Sequence, residues 1–187
     1  MGTFDNTQLT VIIKPTSEPV SLAEMKRALN VETTDDDSQI SGQIKTARQF
    51  AEDYCNIIII TTIVERSFDY WPSTVIGLGV WPLQTIDSVK YDDTASPVTE
   101  QTLVVNTDYY ADTVTEGGRI GALTGWPSTA VKFKPIRVRM TAGYSNRANV
   151  PEQIKDGIKA YVQYLYERCP DMEQVAKNIL QGERRLS

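Results

Sequence analysis

The sequence predicts an α+β protein, in which N-terminal and C-terminal helices pack as a small bundle that carries an inserted antiparallel β-rich module. Apolar residues recur at helical spacing near both ends, and β-branched and aromatic residues with frequent glycine and proline fill the middle. The 187 residues suffice for one well-cored domain with an insertion. We expect an extended leader at 1–18, a helical body at 19–56 and 150–181, a β-rich insertion at 57–149 and a flexible tail at 182–187.

The first helix begins in the stretch SLAEMKRAL. Ser21 can cap its N-terminus, and Glu24, three residues later, can complete a capping box. A longer amphipathic helix follows, with an apolar stripe formed by Ile40, Ile44, Ala47, Ala51 and Tyr54. The three aspartates at 35–37 could bind a metal ion, but carboxylates are also favoured at a helix N-terminus. Because no partner cluster of ligands is visible, we interpret them as capping residues.

Six strands are predicted in the central part of the chain, after an extended segment at 9–14: 60–71, 86–91, 102–105, 109–111, 119–123 and 136–142. The last has the clearest alternation. Ile136, Val138 and Met140 alternate with polar residues, as a half-exposed strand requires. The chain is therefore expected to expose one face of this strand and bury the other.

Every tryptophan precedes a proline, and the stretch WPST occurs twice, at 71–74 and 126–129. One interpretation is a duplicated binding motif, with the aromatic rings as a platform for sugars or bases. The other is that strands end there, because proline cannot donate to a sheet and favours an extended residue before it. The sequences flanking the two copies differ, which favours the second interpretation.

Helical periodicity returns after Val150. Its apolar face comprises Ile154, Ile158, Tyr161, Val162 and Leu165. Pro170 is expected to end this helix, and a shorter one is predicted at 172–180. The chain then ends in the basic stretch ERRLS, which is predicted to be mobile in the free protein.

Composition excludes several classes of function. The chain has no histidine, and its two cysteines, Cys55 and Cys169, are far apart, so histidine-based catalysis and the usual zinc sites are excluded. We expect no cofactor. The net charge of −5 disfavours a protein that grips nucleic acid. Without a signal peptide or a membrane-length apolar run, the sequence predicts a soluble protein made in a cytoplasm.

Four motifs occur in a fixed order: EPVSLAEMKRAL, a helix ending AEDYCN, WPLQTIDSVKYDD, and IRVRMTAGYSNRANVPEQIKDGIKAYVQYLYE. In this order they resemble the phage head-tail connector (adaptor) proteins of the gp6-like and phiE125 gp8-like group. The resemblance covers about 19–167 and rests on structural markers, with no catalytic signature among them.

The resemblance implies a structural protein, not an enzyme, that forms a ring of about a dozen copies beneath the portal of a tailed bacteriophage. Such a ring extends the DNA channel and offers a docking surface to tail components. The implied partners are other copies of the chain, the portal protein, a tail-completion or stopper protein, and DNA that passes without sequence-specific binding. The resemblance implies no membrane partner. The implied location is the head-tail junction of the virion, after assembly in the host bacterial cytoplasm.

Two groups of residues are candidates for these contacts. The C-terminal segment is predicted to bind the portal through Lys177, Arg184, Arg185 and Leu186. Contacts between subunits or with the channel are predicted for charged residues on helices and on one strand: Lys45, Arg48, Glu52, Lys155, Asp156, Lys159, Arg137 and Arg139. A channel wall with net negative charge would repel phosphates and keep DNA from adhering.

Three alternatives remain open at this stage. A DNA-packaging protein of the small-terminase type would need a basic surface, for which Arg137, Arg139 and Arg147 are the candidates. Another tail or baseplate structural protein would share the architecture. A carboxylate-based hydrolase could use Asp69, Asp92 or Asp112 beside the tryptophans, but nothing in their spacing brings two acids together.

Overall fold

The computed structural model describes residues 7–185. Within them the chain divides into two compact units, one formed by residues up to Lys14 with Thr62–Gly143, the other by Pro15–Thr61 with the residues from Tyr144 onward. The first unit contains the strands and the second contains the helices, so the predicted α+β class, with an antiparallel β-rich insertion in a helical body, is confirmed. Among the described helices, none combines the length and apolar character needed to cross a membrane.

The helical unit contains α1 (Leu22–Ala28), α2 (Asp37–Cys55), α3 (Glu152–Glu167) and α4 (Pro170–Leu180). The capping box at α1 is confirmed, because Ser21 Oγ accepts from Glu24 N at 3.2 Å and Glu24 accepts from Ser21 N at 2.7 Å. Most of the predicted stripe residues of α2 and α3 are buried: Ile40, Ile44, Ala47, Ala51, Ile154, Ile158 and Val162. Tyr54, Tyr161 and Leu165 are half-buried. The α2 and α3 stripes meet, and Phe50 stacks on Tyr161 with ring centroids 3.9 Å apart.

Two local predictions about this unit need correction. Asp36 stands at the N-terminus of α2 but makes no capping bond; its Oδ2 accepts from Tyr166 OH at 2.7 Å instead, and Asp37 pairs with Lys26 at 2.6 Å. Tertiary partners thus outcompete the backbone for these carboxylates. Pro170 does not break α3, which ends at Glu167; it is the first residue of α4, where its missing N–H costs nothing.

The β-unit contains two antiparallel sheets. The first has the order β1 (Thr7–Ile13), β2 (Thr62–Phe68), β8 (Ile136–Ala142), β4 (Leu83–Asp92) and β5 (Glu100–Leu103). The second has the order β3 (Val75–Gly77), β7 (Arg119–Ala122) and β6 (Tyr109–Asp112). β3 was not predicted from the sequence, because a strand of only three residues is too short to show an alternating pattern. The segment expected as an extended leader pairs with β2, whose residues are 50 to 61 positions away, and local patterns cannot reveal such a partner.

The core of the β-unit lies on one face of the five-stranded sheet. Ile136, Val138 and Met140 of β8 are fully buried, while Arg137 and Arg139 point to the other face, as the alternation predicted. Val64 of β2 and Ile120 of β7 are also fully buried. The five-stranded sheet therefore presents one apolar and one charged face, and the charged face contains candidate residues.

Candidate assembly surfaces

The charged face of the five-stranded sheet carries an ion-pair cluster around Asp92. The Arg137 guanidinium donates to both Asp92 carboxylate oxygens, at 2.8 and 3.0 Å, and to Glu100 at 2.8 Å. Lys132 lies 2.5 Å from the same Asp92 carboxylate, which is almost fully buried. The hydrogen bond from Arg137, helped by Lys132, lowers the pKa of Asp92 to about 2 against the opposing effect of burial. The same bond raises the pKa of Arg137, so both groups are charged at neutral pH.

Arg139, the other arginine of this face, is also paired. Its guanidinium lies 3.0 Å from the Glu65 carboxylate on the adjacent strand. Phosphate binding draws on cationic charge that is not already neutralised, so this pairing weakens the case for a DNA-binding face. Arg147, which the sequence suggested as a third member, belongs to the helical unit, where its Nε donates to the Glu18 carbonyl at 2.9 Å.

In the helical unit, Arg48 is buried between two carboxylates. Its Nε lies 2.8 Å from Glu18, and its Nη1 contacts Glu52 one turn further along α2. Glu52 also accepts a hydrogen bond from Ile59 N at 2.9 Å. Burial nevertheless raises the pKa of Glu52, because desolvation outweighs these contacts. Arg48 and Glu52, predicted to contact other subunits or the channel, are thus engaged inside their own unit. There they hold the segments before α1 and after α2 against α2.

Lys45, by contrast, is exposed on α2 and borders a groove of about 430 Å³. The groove is lined by the segment from Pro15 to Leu22, by Ser41 and Ile44 of α2, and by Arg147. This position puts the Lys45 ammonium where a segment of another chain can reach it.

The three candidates on α3 differ in exposure. Lys155 is largely buried and its Nζ lies 2.7 Å from Glu152, whereas Asp156 and Lys159 form an exposed pair at 3.0 Å. Exposed ion pairs of this kind each stabilise a helix by only about 0.3 kcal/mol. Asp156 and Lys159 can therefore exchange partners with a neighbouring chain at little cost.

The C-terminal candidates lie against their own helical unit as far as Arg185. Lys177 pairs with Glu173 at 2.6 Å on α4, and the Arg184 guanidinium lies 5.5 Å from the centre of the Tyr54 ring. The Arg185 N–H donates to the Cys55 carbonyl at 2.8 Å. Leu186 lies outside the described residues. The part of the predicted mobile tail that is described is therefore anchored to the end of α2.

The two WPST stretches pair with each other, a relationship that sequence reasoning missed. The indoles of Trp71 and Trp126 stack with centroids 4.3 Å apart and an interplanar angle of 8°. Trp71 Nε1 donates to the Pro127 carbonyl at 2.9 Å, and Trp126 Nε1 donates to the Ser73 carbonyl at 2.7 Å. Each stretch follows the end of a strand, so the interpretation as strand ends holds, while the rings close a reciprocal clasp between two loops. The repetition of WPST was the sequence signal that could have revealed this contact.

The acids considered for a hydrolase do not converge. Asp69 accepts from Lys134 N at 2.7 Å, Asp92 is held by Arg137, and Asp112 accepts from Val114 N and Thr115 N at 3.0 Å each. Each carboxylate is thus engaged in structural hydrogen bonds or an ion pair. Within residues 7–185, no cluster of three or more acidic or cysteine side chains has the arrangement of a metal site.

The chain is similar to known proteins both in part of its sequence and in its fold. Residues 19–79, which include α1, α2 and β2, match the family described as phage gp6-like head-tail connector protein, and this confirms the resemblance seen in the sequence. Among curated proteins, no sequence matches the chain.

Three solved structures share the fold over 96% of this chain and 96% of theirs. A chain from the neck of an empty gene transfer agent (GTA) particle, in C6 symmetry, has a TM-score of 0.78 at 16% identity. A chain from the virion of a native GTA particle has a TM-score of 0.78 at 15% identity. A chain from the neck of a native GTA particle, in C12 symmetry, has a TM-score of 0.77 at 14% identity. At these identities the likeness establishes the shared fold.

Proposed function

We propose that this protein is a structural head-tail connector of a tailed bacteriophage or phage-like particle. The observation that carries the proposal is the fold shared along nearly the whole chain with chains of GTA necks and virions, together with the family match at residues 19–79. These two findings support a structural phage connector and a location in the neck of the virion. The role is non-catalytic, in keeping with a family of structural proteins.

In the proposed assembly, copies of the chain form a ring under the portal, extend the DNA channel and offer a surface on which tail components dock. The sixfold and twelvefold symmetries of the GTA neck structures support a cyclic arrangement of about a dozen copies. The partners are the portal on one side and a tail-completion or stopper protein on the other. Assembly takes place in the cytoplasm of the host bacterium.

The charge distribution supports passage of DNA without adhesion. The chain has a net charge of −5, and the arginines of the sheet's charged face are paired with carboxylates. A surface of this kind releases few counterions from DNA and binds it weakly at physiological salt. A small-terminase role would require the opposite, so we do not favour it; another tail or baseplate position would use the same fold.

For contacts with the partners, the exposed candidates are the strongest. On the helical unit they are Lys45, Asp156 and Lys159 for neighbouring subunits, and Lys177 with Arg184 for the portal. Each of them is on the surface or in a weak exposed pair, so each can change partner on assembly. Arg48 and Lys155 contribute to the shape of the subunit more than to its surface.

Disrupting the gene tests the proposal directly. Negative-stain electron microscopy of the resulting particles is expected to show heads without tails, either filled or leaked, alongside free tails. Supplying the protein from a plasmid should restore tailed particles. Normal tailed particles in the disrupted strain would contradict the connector function, and salt-dependent binding of duplex DNA by the purified protein would favour the packaging alternative.

A further inference from the structure

Strand β1 is exposed to a degree that an isolated protein rarely tolerates. Four of its large aliphatic residues are between 41% and 54% exposed: Leu9, Val11, Ile12 and Ile13. β1 pairs only with β2 and forms one edge of the five-stranded sheet, so the backbone groups of its outer edge pair with no described strand. Proteins usually protect such edges with charged side chains, proline or a covering loop. β1, with the sequence TQLTVII, contains neither a charge nor a proline.

The opposite edge of the same sheet is also open. β5 pairs only with β4, its residues Gln101 and Thr102 are exposed, and the chain continues into Val104 and Val105, which are 55% and 47% exposed. One sheet therefore offers two unpaired edges that differ in sequence. A closed ring needs two different surfaces on each subunit that fit each other, because every junction in it is heterologous.

The two edges match in polarity. Directly paired residues point to the same face of a sheet, so the registers define rows that cross all five strands. One row on the core side begins and ends with leucine: Leu9, Arg66, Val138, Val89 and Leu103. The next row, on the charged side, begins and ends with an uncharged polar residue: Gln8, Ser67, Arg137, Lys90 and Thr102. If β5 of one copy paired with β1 of the next in this register, Leu103 would lie beside Leu9 and Thr102 beside Gln8.

The strand directions decide what such a junction generates. All four pairings in the sheet are antiparallel, so β1 and β5, four strands apart, run in the same direction. Adding β5 of one copy to β1 of the next makes a parallel pair and repeats head to tail. Pairing of two β1 strands would instead be antiparallel under two-fold symmetry and would stop at a dimer. The sheet can thus propagate around a ring only through the β5–β1 junction.

We propose that subunits join by adding β1 of one copy to β5 of the next, so that their five-stranded sheets form one continuous band. This inference rests on the ring of the proposed function. The junction buries Leu9 against Leu103 and introduces no unpaired charge, since Glu100, the single charged residue of β5, is already held by Lys90 at 2.7 Å and Arg137 at 2.8 Å. It also protects an edge that would otherwise invite aggregation.

Disulfide cross-linking in assembled particles tests the junction. Both double variants are made on a Cys169→Ser background. The first, Gln8→Cys with Thr102→Cys, places thiols at the two ends of one row of the sheet. The second, Thr10→Cys with Thr102→Cys, tests a register shifted by two residues. Cys55 is retained because it is fully buried. Oxidation of purified particles is expected to give a ladder of covalent multimers on a non-reducing gel with at least one double variant. Each single variant is the matched control and should give no ladder.

The outcomes separate this inference from the proposed function. Tailed particles that contain the double variants but yield no ladder overturn the β5–β1 junction and leave the connector function standing. Dimers from Gln8→Cys or Thr10→Cys alone assign β1 to a two-fold contact and also overturn it. Normal tailed particles in the gene-disrupted strain, by contrast, contradict the function itself.

A charge placed on the edge provides a second test. Val11→Lys should lower the yield of tailed particles by at least about tenfold without changing the melting temperature, because lysine on an edge strand opposes strand addition. Val114→Lys, at an 86% exposed position between β6 and β7 of the three-stranded sheet, is the control and should assemble normally. Normal assembly of Val11→Lys would overturn the inference. Loss of assembly would also overturn it if the double cysteine variants gave no cross-linked ladder, because β1 would then contact a partner other than β5.

Discussion

Trp71 and Trp126 stack face to face, 4.3 Å apart, and each indole N–H donates to a backbone carbonyl of the other's loop. The loops that follow β2 and β7 are thereby fastened together although 55 positions separate the two rings. Neither ring is aimed at a ligand through its N–H, because both N–H groups are used within the clasp. The two WPST stretches therefore join the loops that follow β2 and β7.

The clasp should act as a single energetic unit. Trp126→Ala is expected to destabilise the protein by about 2 kcal/mol, because it removes a half-buried ring, the stacking and one hydrogen bond. Trp71→Ala should cost a similar amount, and the double variant clearly less than the sum. Urea unfolding measures all three, with Val114→Ala as the exposed control. Strictly additive losses would show that the rings do not depend on each other.

The ion-pair cluster on the charged face should matter far more at Arg137 than at Arg139. Arg137→Met leaves the buried Asp92 carboxylate with Lys132 alone and is expected to cost about 2 kcal/mol. Arg139→Met breaks a pair whose arginine is 46% exposed and should cost less than about 1 kcal/mol. Thermal or urea unfolding at neutral pH compares the two variants. Equal losses would contradict the role given to burial.

The effect of Arg137→Met should also depend on pH. The pKa of Asp92 is lowered to about 2, below the value near 3.9 expected in the unfolded chain, so its contribution to stability is present above about pH 4 and is lost as the pH falls towards 2. Without Arg137 the pKa of Asp92 rises towards its ordinary value. The free-energy difference between wild type and variant should therefore be largest at neutral pH and shrink between about pH 4 and 2. A difference that stays constant would contradict this assignment.

Substitution by alanine at two helical glycines should change the stability of the protein in opposite directions. A Cβ on Gly157 of α3 would lie 2.5 Å from Leu180 Cγ, whereas nothing lies within 4 Å of the corresponding atom at Gly42 of α2. Gly42→Ala should stabilise the protein by up to about 1 kcal/mol through helix propensity. Gly157→Ala should destabilise it by about 1 kcal/mol or more, since forcing α4 away costs more than propensity returns.

Unfolding midpoints in urea compare the two glycine variants, and the Cys55 thiol offers a second readout. Burial raises its pKa to about 11, and its Sγ lies 3.6 Å from the Leu180 carbonyl. If Gly157→Ala displaces α4, Cys55 should react faster with a thiol reagent, while Gly42→Ala leaves that rate unchanged. A stable Gly157→Ala with an unreactive thiol would mean that α4 adjusts without strain.

Attachment through the C-terminal segment can be separated from stability by charge reversal. Lys177→Glu with Arg184→Glu removes one exposed helix pair and one contact over Tyr54, neither of which belongs to the buried core of the helical unit. We expect binding to portal-bearing heads to fall by about tenfold or more, because an acidic partner surface would then be repelled. Arg27→Glu on α1 is the matched control.

Deleting residues 181–187 is a less specific test of the same contact. It also removes the backbone hydrogen bond from Arg185 to Cys55, worth about 1 kcal/mol, and so alters the fold of the helical unit. Co-sedimentation with heads measures attachment for both variants. If the charge-reversed protein binds as well as wild type, the portal does not use Lys177 and Arg184.

The sequence alone determined the features that depend on neighbouring residues. The capping box of Ser21 and Glu24, the buried stripe of α2, and the alternation along β8 were all predictable, because each is set by spacing within one helix or strand. The family resemblance could also be recognised from the sequence, since it rests on the order of such local motifs. The candidate charges could be named from the sequence, but their partners could not.

Tertiary structure decided everything that joins distant parts of the chain. Only the fold shows that 7–13 is an edge strand, that Trp71 clasps Trp126, and that Arg137 and Arg48 are committed to carboxylates of their own units. Even Asp36, which local rules assign to a helix cap, bonds Tyr166 instead. The physical reason is common to all of them: pairing and burial depend on which strands and helices meet, and the free energy gained there exceeds the local preference that a sequence pattern records.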